Sequence, residues 1–389
     1  MSDRLKIIIY INKMQNWAGG REYFENLIYA LGSLSSQNQT FEMCVFSDNE
    51  LSPHIQQFVS KVYTDKNLHP VTLSDRIKWK LDNIISTDKK PYIDSFLKKE
   101  KIDFIYPYFS CDKRPKPYRS AAWIPDFQHK YLPEFFSASE LKSRDEEFSK
   151  IVSNAEKVIL SSKMAQGDCH QFFPDSIEKT CVMPFRTIPQ AEWYELNPSD
   201  TQLKYNLPDK FLLVSNHFWQ HKNHLLIFSA LELLKQQSIF PTIVCTGHMY
   251  DYRCPEYLDK VLRTIHELGI SQQVMFLGHI PKIDQIQLIR RSVAVIQPSL
   301  FEGWSTIIEN VRCFGKPMIL SDFPVHIEQK VPDNLIFERS SVSQLAECIL
   351  NYWESLSPGP DMEKEKISFN QQKEHIKEFG RKFFEIIQQ

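Results

Sequence analysis

No stretch of the 389 residues approaches the roughly 18 consecutive apolar positions of a membrane-spanning helix. The apolar run at residues 7–11 is too short for a signal peptide and stops at Asn12 and Lys13. The eight cysteines are scattered without a CxxC pair, which fits reduced, buried thiols in a cytosolic protein better than a disulfide frame. A formal net charge of −2 leaves no global field to recruit nucleic acid. The first strand–helix junction lacks GxGxxG spacing, so a nicotinamide or flavin dinucleotide is not expected. No tidy carboxylate pair of the Asp-x-Asp kind is offered to a metal. His217, His221 and His224 straddle a strand–helix junction rather than one helix face, a poor zinc spacing. Asn38-Gln39-Thr40 matches a glycosylation sequon, which means nothing without secretion.

What is present is length and hydrophobicity for two cores. With 42% hydrophobic residues, the chain suits two domains of about 180 residues each. Residues 297–322, QPSLFEGWSTIIENVRCFGKPMILSD, read as one βαβ turn. An apolar run at 292–296 suits a buried strand, and a loop follows from Pro298 to Trp304. Thr306-x-x-Glu309 has the spacing of a capping box, and Ile307, Ile308, Val311 and Phe314 mark a core face. Gly315 stops the helix, and Lys316-Pro317 leads into the next strand. Gly303 lets a ligand approach the backbone, and N–H groups near Ser305 and Thr306 open onto a helix N-terminus suited to phosphate. Glu302 beside them would be repelled by phosphate unless it faces hydroxyls. Phosphate and hydroxyls at one loop suggest a nucleotide sugar.

The strand, Pro-Ser, Phe-Glu-Gly, two carboxylates, Gly-Lys-Pro and Ser-Asp of this stretch resemble the signature of retaining glycosyltransferases of the GT-B fold, family four. Glu302 and Glu309 stand one residue closer than that family usually spaces them, and Asn310 fills the usual second position. The resemblance implies a fold of two doubly wound, Rossmann-like α/β domains facing across a cleft. It places an acceptor-side domain at 1–190, a donor domain at 205–364, and a closing helix at 365–389 that packs back on the first. Prolines 184, 189, 198 and 208 punctuate the expected linker.

The same resemblance assigns the remaining candidates. Gly19 and Gly20 end the loop after the first strand and face the donor. Asp126 and His129 follow the 121–124 strand in Pro125-Asp-Phe-Gln-His129 and belong to the acceptor side. Lys222 matches the family's diphosphate-gripping lysine, while His217 occupies its arginine position and brings no permanent charge. That substitution suggests weaker or pH-dependent phosphate binding. Glu302 would hold sugar hydroxyls, with Gly303, Trp304, Ser305 and Thr306 at the diphosphate. Glu309 is the expected ribose ligand and Asn310 the alternative.

The implied activity is transfer of a hexose-type sugar from a nucleoside diphosphate sugar to an acceptor hydroxyl. It proceeds with retention and without cofactor or catalytic metal, in bacterial cell-surface glycan synthesis. A glycan or lipid-linked acceptor is expected, in the cytoplasm or at the inner face of the plasma membrane. For the latter, Lys113, Arg114, Lys116 and Arg119 with Tyr106, Tyr108, Phe109 and Tyr118 form a basic, aromatic patch. Two other readings stand beside it: a two-lobed sugar-binding protein without catalysis, and a nucleotide-sugar isomerase of the same fold.

Overall fold

The computed structural model describes residues 4–14, 17–38, 41–68, 91–108 and 116–389. The chain divides into two units, one of Met1–Phe127, Lys142–Arg186 and His375–Gln389, the other of Gln128–Leu141 and Thr187–Glu374. Among the described residues, no helix is long and apolar enough to cross a membrane. Parts of two expectations, the sequon's Gln39-Thr40 and the patch residues Phe109, Lys113 and Arg114, lie outside the described residues.

The first unit is built on β1 (Leu5–Tyr10), β2 (Phe41–Phe46), β3 (Lys61–Tyr63), β4 (Phe104–Tyr106), β5 (Arg119–Ile124), β6 (Lys157–Leu160) and β7 (Thr180–Val182). They form one sheet in the order β3-β2-β1-β4-β5-β6-β7, every pairing parallel. Isoleucines 7, 8 and 9 are fully buried, as a central strand covered by helices on both faces requires. Helix Ala18–Asn38 returns from β1 and buries Phe24, Leu27, Ile28 and Leu31. The aromatic patch before β5 is largely core: Tyr106, Tyr108 and Tyr118 are buried, and Tyr118 donates to Asp94 Oδ1 at 2.6 Å. Lys116 lies 4.0 Å above the Tyr108 ring. Of the described members, none offers an exposed aromatic ring for a lipid surface to receive.

The second unit carries β8 (Leu212–Ser215), β9 (Ile243–Thr246), β10 (Val274–Gly278), β11 (Val295–Gln297), β12 (Met318–Ser321) and β13 (Leu335–Phe337). Their order, β10-β9-β8-β11-β12-β13, is parallel throughout and reverses direction between β8 and β11. Open sheets of this kind leave a crevice at the carboxyl ends of the two strands flanking that reversal, because their connections run to opposite sides. Gly247, just past β9, has φ +128°, and a Cβ there would lie 2.2 Å from the Asn216 carbonyl. Only glycine lets the loops after β8 and β9 close to this distance.

Two local boundaries differ from the sequence reading. The strand expected at 292–296 forms as β11 at 295–297, because Ser292 ends the preceding helix and Val293 only approaches β8. The helix after β11 runs Thr306–Arg312 with Ser305 as its N-cap, so Thr306 is the first helical residue and the capping box does not form. The 184–208 stretch also carries two short helices, Ala191–Glu195 and Pro198–Lys204.

The second unit is tied to the start of the long helix Met362–Gln388 by a buried pair. Arg290 Nε meets Glu365 Oε1 at 2.8 Å and Nη2 meets Oε2 at 3.0 Å, with both residues about 2% exposed. Nη1 donates to the Trp193 and Leu196 carbonyls, so the guanidinium is nearly saturated. Removing the carboxylate strands a charge out of water, which typically costs about 3–5 kcal/mol. Glu365→Gln is therefore expected to lower the unfolding free energy by about 3 kcal/mol in urea titration. A loss below about 1 kcal/mol, the scale of an exposed pair, would mean the pair is solvated.

Candidate active site at the strand reversal of the second unit

The site is assembled from the loops that leave β8 and β11. Past β8, Asn216 and a 3-10 turn at Gln220–Lys222 precede helix His224–Gln236. Asn223 takes a left-handed conformation, φ 57°, and its side chain donates to the Pro298 and Arg339 carbonyls. Leu300 N–H donates to the His221 carbonyl at 2.8 Å, which stitches the two loops together. Lys222 Nζ thereby comes to 2.6 Å from Glu302 Oε1, with both side chains largely buried.

One buried amide organises the centre. Gln297, the last residue of β11, is fully buried, and its Nε2 faces Glu302 Oε1 at 2.9 Å and Asn216 Oδ1 at 3.2 Å. Asn216 Nδ2 donates back to Gln297 Oε1 at 2.9 Å, so paired amides bridge the strand reversal. Burial pushes the Glu302 carboxyl up, but the Lys222 ammonium and the nearby His326 more than offset this and hold it at about 2. Glu302 is thus a carboxylate at any ordinary pH. Its charge is compensated by Lys222, and Oε1 takes two donors.

The helix start is less open than the sequence suggests. Ser305 N–H already donates to Gln329 Oε1 at 3.0 Å, and Gln329 Nε2 returns to the Ser305 carbonyl at 3.1 Å. The same Nε2 reaches Glu309 Oε1 at 3.0 Å, and Arg312 Nη1 lies 3.7 Å from that oxygen. Glu309 is 0% exposed. Its expected position at the helix terminus is replaced by a brace between Thr306–Arg312 and helix Pro324–Gln329. Asn310 is also buried and accepts from Thr187 Oγ1 at 3.0 Å. Neither candidate for the ribose is exposed. Gly303, Trp304 and Thr306 are half-buried beside the pair.

Histidines crowd the carboxyl edge, and most are held neutral. His217 Nδ1 accepts the His248 backbone N–H at 3.3 Å, which leaves Nε2 as the protonated nitrogen. Its ring stacks on His248 at 5.0 Å, and His248 stacks on His279 at 4.3 Å. Burial first, then His248, Lys222 and His279, pull His217 down to about 4. His217 is therefore a neutral ring near pH 7. His221 is pushed well below its ordinary range, His224 to about 3 and His326 to about 4, each chiefly by burial.

The other candidates lie elsewhere. Gly19 and Gly20 fall inside the first turn of helix Ala18–Asn38 rather than in the loop before it. A Cβ on Gly20 would stand 2.5 Å from the Trp17 ring and 2.9 Å from Met14 Sδ, so this glycine serves internal packing. Trp17 in turn stacks on Trp123 of β5 at 5.3 Å. Asp126 is half-buried just beyond β5 in the first unit. His129 is buried in the short helix Gln128–Tyr131, which counts with the second unit, and its ring lies 6.4 Å from Phe136. Gln297, Asn216 and Gln329 escaped the sequence reading. The only available hint was a glutamine closing an otherwise apolar strand.

Two doubly wound parallel sheets, the second with its site at the strand reversal, define a GT-B type architecture. Residues 199–365 match the family model described as glycosyl transferases group 1, which bears out the resemblance read at residues 301–322. The fold is similar to that of Anabaena HepE in complex with UDP and glucose, at 17% identity and TM-score 0.69 over 99% of this chain and 100% of that one. It is also similar to sucrose-phosphate synthase from Thermosynechococcus elongatus, at 15% identity and TM-score 0.66 over 99% and 98%. A third likeness is to WaaG, a glycosyltransferase involved in lipopolysaccharide biosynthesis, at 12% identity and TM-score 0.59 over 96% and 95%. The comparison with curated proteins returned no match.

The four neutral histidines set a pH dependence. An unfolded histidine takes a proton near pH 6.5, whereas these resist it in the native state. Below that pH the unfolded chain binds more protons, so stability falls as pH drops from about 6.5 towards 4. Carboxylates act only lower, since an unfolded glutamate titrates near 4.3. The thermal midpoint is expected to be several degrees lower at pH 5.5 than at pH 7.5. An equal or higher midpoint at pH 5.5 would contradict the burial of neutral rings.

Proposed function

We propose that the chain transfers a hexose-type sugar from a nucleoside diphosphate sugar to an acceptor hydroxyl, with retention, in the synthesis of a cell-surface glycan. The observation that carries this reading is the Lys222–Glu302 pair at the strand reversal of the second unit. An ammonium suits a departing diphosphate, where negative charge develops, and a carboxylate suits sugar hydroxyls. The matched family and the UDP complex of HepE support the donor class, and WaaG supports the glycan setting.

In this scheme the bound donor divides the pair. Lys222 turns to the diphosphate, joined by the N–H groups at Thr306 and beyond, and Glu302 accepts hydroxyl hydrogens of the sugar. Gln297 keeps Glu302 oriented while Lys222 is engaged elsewhere. No described side chain is placed as a nucleophile. Retention is then best served by a front-face route, in which the leaving phosphate oxygen takes the acceptor's proton. Asp126 and His129 remain candidates for the acceptor side, which we take to be a glycan or a lipid-linked sugar. The Thr187-bound amide of Asn310 and the braced Glu309 leave the ribose contact to whichever yields its partner. A carboxylate suits a vicinal diol better than an amide does, so we assign the ribose to Glu309, with Asn310 the alternative.

Lys222→Ala is expected to weaken a nucleoside diphosphate by about 1.5–3 kcal/mol, the value of a hydrogen bond to a charged group. Glu302→Gln is expected to act oppositely on binding and turnover. It frees Lys222 for the anion, so free diphosphate binds as well or better, while sugar transfer drops strongly. Calorimetric titration and initial rates measure both. If Glu302→Gln loses diphosphate affinity along with turnover, the division of roles fails.

Transfer is also expected to continue in excess EDTA, since Lys222 neutralises the leaving group in place of a cation. Loss of activity in EDTA, restored by magnesium or manganese, would contradict that assignment.

A further inference from the structure

The loop after β9 holds an arginine without a counter-charge. Asp251 fixes this loop: its Oδ2 accepts Gln220 N–H at 3.0 Å and its Oδ1 accepts Arg253 N–H at 3.0 Å. The loop is thus pinned to the same 3-10 turn that ends in Lys222. The Arg253 guanidinium carbon lies 4.3 Å from the Phe136 ring centre and 5.1 Å from that of Trp219. Its Nε donates to Tyr252 hydroxyl at 3.1 Å and its Nη1 to Gln128 Oε1 at 3.2 Å. The guanidinium's own partners are all neutral, and among the described residues no carboxylate forms an ion pair with it; the Asp251 carboxylate takes the backbone N–H of Arg253 instead. Aromatic faces orient a guanidinium and attract it without cancelling its charge. A guanidinium has five N–H donors, and two are accounted for here.

Arg253 lies on a loop pinned to the turn that carries Lys222 of the site already described. Trp219, against which Arg253 packs, lies 5.5 Å from the His221 ring, and Lys222 follows directly. Arg253 is close enough to help depress His221. His217, by contrast, is fixed as a neutral ring by the His248 N–H on its Nδ1. The loop after β8 therefore carries one permanent cation, Lys222, already engaged by Glu302. A doubly charged diphosphate calls for more than that.

We propose that Arg253 supplies the second fixed positive charge for the donor diphosphate, from the loop after β9 instead of the His217 position. This rests on the donor reading above. The planar fork suits two phosphate oxygens at once, which a lysine cannot match. Arg253 is a binding residue in this account, while Phe136, Trp219 and Gln128 position it.

The test uses the full chain and UDP, the nucleotide in the HepE complex. Arg253→Gln is expected to raise the UDP dissociation constant roughly tenfold or more, the scale of a lost charged hydrogen bond. Uridine monophosphate, with one phosphate fewer, is expected to lose less. Arg253→Lys is expected to recover part of the UDP affinity, and it keeps the question open to measurement should the glutamine variant fold poorly. Thermal midpoints of both variants are read alongside. If both variants bind UDP within twofold of the wild type while Lys222→Ala weakens it, the inference falls and the donor reading stands. A rise only in the acceptor KM would equally overturn it. If the wild type binds none of UDP, ADP, GDP or TDP, the donor reading falls and takes the inference with it.

Discussion

A lysine and a glutamate held at 2.6 Å and mostly out of water constrain everything around them. Each alone would be costly to bury, and together they are tolerated only while further donors satisfy the carboxylate. Gln297 provides one such donor because β11 ends where it does. Asn216 holds Gln297 in turn, from just past the adjacent strand β8 across the reversal. The parallel order of β8 and β11 thus determines where a charge pair can be placed and kept dry. A ligand that separates the pair must replace both halves of that attraction, with an anion for Lys222 and hydroxyls for Glu302. A sugar diphosphate carries both in one molecule.

Four histidines near the pair are kept neutral near pH 7 chiefly by burial, so the fixed charge facing Glu302 there is that of Lys222. Gly247 allows the loops after β8 and β9 to touch, and Asp251 locks them together. This closeness is what sets Arg253 and Lys222 on neighbouring pieces of backbone.

Much of this was legible in the sequence, and for definite reasons. The runs at β1, β2, β4 and β9 are apolar because both faces of a parallel strand are covered, so their positions could be read directly. Glu302 stood out because a carboxylate beside a glycine in a phosphate-type loop needs a hydroxyl-bearing partner, and Lys222 because it matches a lysine of the family the chain resembles. The helix start at Thr306 was misread, since Ser305 and Thr306 are both plausible caps and Gln329, distant in sequence, decides between them. The brace on Glu309 was hidden for the same reason, because it comes from that distant glutamine. Nothing local reveals that Trp17 packs against Gly20. Arg253 could not be singled out at all, as its meaning lies in the neutral partners that tertiary structure gathers around it.

The central claim is that the donor splits the Lys222–Glu302 pair. A crystal structure with a bound nucleoside diphosphate sugar addresses it most directly. The account predicts a phosphate oxygen within hydrogen-bond distance of Lys222 Nζ, about 2.7–2.9 Å, and sugar hydroxyls on Glu302. An intact 2.6 Å pair, with the diphosphate bound away from Lys222, would contradict it.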